Sequence, residues 1–568
     1  MSASLRERSA PWIEGALLAL VVLAILACSG DAVRASYHGY LHVTVGEAVL
    51  REGLTPENPY HAGAPLRYYT LYPALGVLLG RTGIGPWWGF VALNVLAAFL
   101  LAPALDALAR ACGLSFVARR AAFLAAVLGF NALGWTGFLA VEDLRFGAAP
   151  VYALQPLCYA GRAFGWDARL QAFLPKFLNV SSFALALPFA SWALAAAFGR
   201  YSTRRILLAG LALGLSTALN PLAGLVAAVG LAAGVAPAFV RGTKALRLAW
   251  LAAAVLAGLV ALPFLLPALA SAPHGPSLTG NPNLGGSPLA NWIGPLALVL
   301  PLGVLGFMRM ASGVRWRLSV VLLLCAALVL VGEMPQGNEY KLERMGALLW
   351  ALPAGVLLGE WWSAGPFPRR KALVCLVVAT PTFALVPWAY LEYGAQGPEL
   401  PLVVRDHGRL RPPEGPSATA PYFVAGQSSL DAPRAVVVMN HFEPGTRLPS
   451  GLVQGNAFAP ALDHALFVDL PQIHNEGQPD LERRLDLVAA FYDGERSRPR
   501  DGVVRTRAAA LAELRAVLPD RPYLFFVREG EPSVIEILTA AGAVECARAS
   551  GSVLFRLAPI ATAVREDR

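Results

Sequence analysis

The sequence predicts a mainly α, polytopic transmembrane protein that ends in an extracytoplasmic α/β domain. Three observations carry that expectation. Of 568 residues, 56% are hydrophobic and 15% charged, which lies outside the range of soluble globular chains. Apolar runs recur at about 20 residues, the length that crosses a bilayer. After Tyr390 the long apolar runs give way to short strand-like runs alternating with amphipathic helices.

Arg6 and Arg8 precede the first apolar run, 12–29, so the positive-inside rule sets the N-terminus in the cytoplasm. A polar outer loop, 31–73, follows. It gathers Asp31, Arg34, His38, His42, Glu47, Glu52, Glu57 and Arg67 with a run of tyrosines, groups that membrane segments normally avoid. Residues 71–81 are apolar but too short to cross, which suggests an interfacial helix, and the stretch 147–160, again short, reads as re-entrant. The remaining spans are expected at 86–109, 121–139, 177–198, 205–219, 221–240, 247–270, 291–308, 318–332, 345–362 and 372–391, about eleven in all. With that number, the basic links Arg110/Arg119/Arg120, Arg200/Arg204/Arg205, Arg241/Lys244/Arg247, Arg309/Arg315/Arg317 and Arg369/Arg370/Lys371 share the cytoplasmic side. The net charge of +9 resides largely in these links and forms no phosphate-binding stripe, so no nucleic-acid partner is expected. All eight histidines then fall outside, compatible with chemistry on that face.

Residues 1–391 form the expected transmembrane domain, and 392–420, rich in Pro and Gly, reads as a linker. Residues 421–568 carry strand-like runs at 434–439, 466–470, 523–527 and 552–557, with helical patterns at 480–493, 506–517 and 533–542. One sheet with helices packed on it follows from that alternation. The six cysteines show no CxxC and no paired spacing, so they read as small apolar residues.

Candidate chemistry sits in the loops. His38 and His42 stand four apart, one face of a helix, a spacing that can hold a divalent metal ion or serve as interfacial hydrogen-bonding groups or a neutral acid/base. Glu142 would be available as a further ligand. Glu142 and Asp143 form an acid pair close to the bilayer, either functional or solvated. In GNEYKLER (337–344), Lys341 and Arg344 can grip a phosphate or can snorkel at a helix end, and Lys176, isolated at the start of a span, has the same two readings. No GxxxxGK[ST], GxSxG or HExxH stands in a usable context, so ATP-driven transport and serine hydrolysis have no support in the sequence.

With one span before a large polar outer loop, many further spans and an outer α/β domain, the chain resembles the GT-C class of membrane glycosyltransferases. GEAVLREGLTPENPYHAGAPLRYYTLYP (46–73) is similar to the first-loop pattern of bacterial members, and NEYK (338–341) to a late-loop motif. The resemblance implies an enzyme of the inner (plasma) membrane that takes a sugar from a polyprenyl-phosphate-linked donor and passes it to a glycan, lipid or protein acceptor on the non-cytoplasmic side. Membrane lipid would surround it. Such members carry an acid soon after the first span, but fifteen residues before Gly53 stands His38, and the nearest acid on that side is Asp31. The implied base is therefore Asp31, His38 or His42, with Glu142 and Asp143 orienting the acceptor or binding metal. Lys341, Arg344, Arg67 and Lys176 are the implied donor-phosphate cations. The other reading is a transporter or lipid flippase, which would favour internal repeats and ionisable groups near the midplane; this chain shows neither clearly.

Overall fold

The structure, a computed structural model, describes residues 3–30, 34, 39–135, 173–199, 202–269, 292–332, 338, 340–396, 405–406, 409–410, 435–439, 465–468, 478, 480–494, 499–549 and 552–560. It divides into two compact units, one within Met1–His38, Phe90–Leu266 and His274–Gly397, the other within Gly39–Gly89, Pro267–Pro273 and Pro398–Arg568.

Helix α1 spans Ala3–Cys28, and α2 (Gly39–Glu52) and α3 (Leu71–Leu79) follow in the second unit. The helical body continues with α4 (Pro86–Ala111), α5 (Phe116–Leu128), the single turn α6 (Pro175–Leu178), α7 (Ser182–Phe198), α8 (Thr203–Leu219) and α9 (Pro221–Arg241). It is completed by α10 (Lys244–Leu269), α11 (Val299–Phe307), α12 (Ser312–Val331), α13 (Tyr340–Ser363) and α14 (Pro366–Gln396). Every expected span overlaps one of these helices. Among the described residues, five stretches are long and apolar enough to cross a membrane: Arg6–Cys28, Trp87–Ala111, Lys244–Leu266, Ser312–Val331 and Tyr340–Ser363. The chain is a multi-pass membrane protein by that measure.

α13 is the centre of the body. Its apolar window is 89% buried, against 28% for α12 and 33% for α10, whose outward faces are left for lipid. Small residues let it approach its neighbours closely. A Cβ on Gly355 would lie 2.5 Å from Ala122 Cβ, and one on Gly359 would lie 2.7 Å from Ala118 Cα, so Gly355-xxx-Gly359 fits against Ala118-xxx-Ala122 of α5. This is the small-residue packing by which helices associate without a hydrophobic driving force.

At one end of the body Asp106 of α4, 4% exposed, receives Arg119 Nε at 2.9 Å, Arg110 Nη2 at 2.6 Å and also Arg120. Arg120 pairs in addition with Glu14 of α1, and Arg119 reaches Glu7 at 3.5 Å. Two corrections of extent arise here. The helix expected at 121–139 is described as Phe116–Leu128, capped by Ser115 Oγ accepting from Ala118 N–H at 3.4 Å, because Arg119 and Arg120 are paired inside the body and need no link. The segment expected at 291–308 is helical over Val299–Phe307, after a tight turn at Gly294–Leu296.

In the second unit, β1 (Arg405–Asp406) and β2 (Arg409–Leu410) form a short antiparallel pair. The main sheet holds β3 (Val436–Val438), β4 (Ala465–Leu466), β5 (Tyr523–Arg528), β6 (Val544–Ala549) and β7 (Ser552–Leu557) in the order β4-β3-β5-β7-β6. β3 is parallel to β4 and β5, and β7 runs antiparallel to β5 and β6. Alternation along each strand gives the sheet two apolar faces. Val436, Val438, Phe525 and Phe555 face α15 (Leu481–Asp493), α16 (Arg507–Val517) and α17 (Pro532–Ala540). Val437, Leu466, Leu524, Phe526 and Leu554 pack with Leu41, Val45 and Val49 of α2 and with Tyr60, Leu66 and Tyr68. The edge strand β4 is covered too: Ala62 N–H donates to Leu466 O and Leu466 N–H to Pro59 O, both at 2.8 Å. The described part of 39–73 thus packs on the sheet, whose second apolar face needs a cover.

Candidate functional site

The sequence NEYKLER starts α13 at Tyr340, where polar residues precede the apolar run. Lys341 N–H donates to Asn338 O at 3.0 Å as the chain enters the helix. Three cations converge on the Tyr340 side chain. Lys176 Nζ lies 3.2 Å from the phenol oxygen and 4.4 Å from the ring centroid. Lys341 Nζ lies 5.9 Å from the ring centroid, and Arg344 Cζ 5.1 Å from it and 5.6 Å from the Phe130 ring. Tyr340 and Arg344 are one helical turn apart and so share a face.

Lys176 is brought there by the α6 turn, whose neighbour Asn179 is anchored twice. Asn94 Nδ2 of α4 donates to Asn179 O at 2.9 Å, and Tyr390 Oη of α14 donates to Asn179 Oδ1 at 2.8 Å. Phe173 and Phe177 pack beside the turn with ring centroids 5.6 Å apart and their planes tilted by 53°.

The electrostatics favour an anion. Lys176 and Lys341 are 8% exposed and Arg344 1%, so their charges have little access to water. Desolvated ammonium groups are costly unless an opposite charge meets them. Among the described residues, no carboxylate forms an ion pair with Lys176 or Lys341. The N-terminus of α13 adds the positive end of a helix dipole. Glu343 lies on the same first turn, 2% exposed, and its Oε1 has no hydrogen-bond partner among the described residues.

The second unit holds the other described candidates. His42, 3% exposed, sits among Tyr68 and Tyr72, whose ring centroids are 5.7 and 5.1 Å away in edge-on contact. Arg67 is half-buried close to His61, and burial pulls its guanidinium down from the ordinary value. His61 itself is fully buried, with Nε2 2.8 Å from Asp480 Oδ1, while Asp480 Oδ2 receives Arg484 Nε at 2.6 Å. Arg484 Nη1 also donates to Ala62 O at 2.7 Å and to Phe467 O at 2.8 Å. Burial pushes the His61 imidazole below its ordinary value. Burial opposes ionisation of Asp480 as well, yet His61 and Arg484 together hold its carboxyl below the usual range. Neutral His61 donating to ionised Asp480 satisfies both directions.

Sequence reasoning named Lys176, Lys341 and Arg344 but not Tyr340, the group they share; its signal was the four-residue spacing to Arg344. The His61–Asp480 pair carried no signal, since 419 residues separate the partners. Asp31, His38, Glu142 and Asp143 lie outside the described residues. Among the described residues no group of three or more His, Cys, Asp or Glu side chains is placed to hold a metal ion.

No family model matches the chain, and no curated protein matches it. It aligns with the crystal structure of ArnT from Cupriavidus metallidurans bound to undecaprenyl phosphate at 12% identity and a TM-score of 0.47, covering 98% of each chain. The apo structure of the same protein aligns at 12% identity and a TM-score of 0.45, again over 98% of each chain. Identity of that order carries no residue-by-residue correspondence.

Proposed function

We propose that the chain is a membrane glycosyltransferase of the GT-C class, moving a sugar from a polyprenyl-phosphate-type donor to an acceptor on the outer face of the membrane. The observation that carries this reading is the convergence of Lys176, Lys341 and Arg344 on Tyr340 at the N-terminus of a membrane-length helix. A phosphate carried on a lipid is the anion that reaches such a place from within the bilayer.

In this reaction the acceptor hydroxyl attacks the anomeric carbon of the donor sugar. The bond between that carbon and the phosphate oxygen breaks, and the prenyl phosphate departs with the electron pair. Cations fixed around the phosphate stabilise the charge that grows on it. Lys176 and Lys341 supply point charges and Arg344 a planar guanidinium. The proton of the acceptor passes to a general base, for which Asp31, His38 and His42 are the proposed groups, with Glu142 and Asp143 orienting the acceptor. His38, His42 and Glu142 are also the proposed holders of a divalent metal ion. The acceptor itself is a glycan, lipid or protein.

The test is prenyl-phosphate binding and sugar transfer by the full-length protein in lipid nanodiscs. Replacing Lys176 or Lys341 by Met is expected to weaken donor binding, whereas Asp31→Asn or His38→Asn is expected to lower turnover with donor binding kept. A wild-type protein that transfers no sugar yet moves a solute or lipid across liposomes would replace this reading with a transporter.

A further inference from the structure

A second polar place in the helical body remains unexplained by donor chemistry. Between α1 and α4 on one side and α7 and α8 on the other lies a cavity of about 1150 Å³. Arg8 of α1 lines it with Arg110, Arg205 and Arg317, one from each of three separate basic links, and Asp106, Trp12, Phe189 and Trp192 complete the wall. We propose that this cleft is a binding site for an anionic phospholipid, with the lipid phosphate among the arginines and the acyl chains along the aromatic wall.

Four features support that occupant. Two of the arginines are fixed without being consumed: Arg110 Nη2 rests on Asp106 at 2.6 Å and Arg317 Nη1 donates to Ala197 O at 2.9 Å, each leaving other N–H groups available. Among the described residues, no carboxylate pairs with Arg8 or Arg205. The side of the cleft is apolar and open, with Trp12 47% and Leu208 53% exposed, as a lateral entrance from lipid requires. Tryptophan at such a place suits the headgroup level, and basic pockets between helices take phosphate headgroups.

This place is distinct from the Tyr340 centre. The link carrying Arg309 and Arg317 meets the far end of α13, where Arg309 pairs with Glu360. Glu360 follows Tyr340 by twenty residues, about 30 Å along a helix. The lipid therefore belongs to the leaflet opposite the proposed donor site, the cytoplasmic one by the charge of the links.

The test is native mass spectrometry of the delipidated full-length protein titrated with phosphatidylglycerol or phosphatidylcholine. The wild type is expected to bind phosphatidylglycerol about tenfold or more tighter than phosphatidylcholine. The exposed double variant Arg8→Gln/Arg205→Gln should lose that preference, and Ala196→Trp, which fills the cleft without changing charge, should weaken binding of both lipids. Lys341→Met should leave phosphatidylglycerol binding unchanged. Equal binding of the two lipids by the wild type, or an unchanged preference in the double variant, would overturn the proposal. So would loss of phosphatidylglycerol binding in Lys341→Met, or displacement of the lipid by equimolar inorganic phosphate, which would mark a soluble ligand.

Discussion

Two groups of charge occupy opposite ends of the same helical body, and they are built differently. Around Asp106, three arginines meet the three carboxylates of Asp106, Glu14 and Glu7, so the charges close on one another and tie α1, α4 and α5 together. Around Tyr340, two lysines and an arginine share one phenol, and neither lysine has a carboxylate ion pair among the described residues. The first is a clamp whose charges serve the fold. The second holds positive charge where the fold gains little from it, which is the arrangement of a binding site.

The largest effect is expected at the clamp. Asp106→Asn leaves three guanidiniums short of a counter-charge, and breaking a buried pair from one side costs about 3–5 kcal/mol. Arg110 is 54% exposed and recovers part of this by hydration, so a loss near the lower bound is expected in thermal unfolding, with donor binding kept in the molecules that remain folded. If Asp106→Asn melts like the wild type, the clamp is ornamental and the contrast fails.

A smaller effect is expected at the latch between His61 and Asp480. His61→Ala removes a buried hydrogen bond, a change of about 1–3 kcal/mol. The latch also sets a pH dependence. Because the folded chain holds His61 below the ordinary 6.5, the unfolded chain takes up the proton first. The stability it contributes is full above about pH 6.5 and is lost as pH falls through the lower folded value. Melting of the full-length protein against pH should show a slope below 6.5 that flattens in His61→Ala. Equal slopes in both proteins would contradict it.

Tyr340→Phe is the gentlest change. It keeps the ring that faces the cations and removes the hydroxyl that holds Lys176, so donor affinity is expected to fall by about fivefold, the loss of one hydrogen bond. An unchanged affinity would mean that Lys176 is positioned by the α6 turn alone.

Much of this organisation is legible in the sequence, because bilayer length and strand alternation leave coarse patterns. The runs at 434–439, 523–527 and 552–557 each overlap a strand, and each expected span overlaps a helix, with the extents of 121–139 and 291–308 corrected. β6 was missed because VECARA carries Glu545 and Arg548 on an exposed edge, where no apolar period is required. The clamp was missed for the opposite reason: Arg119 and Arg120 look like a loop link, and only the fold shows them turned inward to Asp106. The packing of α2 on the sheet depends on partners more than 380 residues away in the chain, beyond any local spacing.

The central claim is that the Tyr340 centre holds the donor phosphate, and binding of a polyprenyl phosphate to Lys176→Met/Lys341→Met in nanodiscs tests it most directly. Each charge-assisted contact to phosphate contributes about 1.5–3 kcal/mol, so the double variant is expected to bind at least about a hundredfold more weakly than the wild type. Its melting temperature should stay level or rise, since two desolvated cations have been removed. A double variant that binds polyprenyl phosphate as tightly as the wild type would contradict the claim.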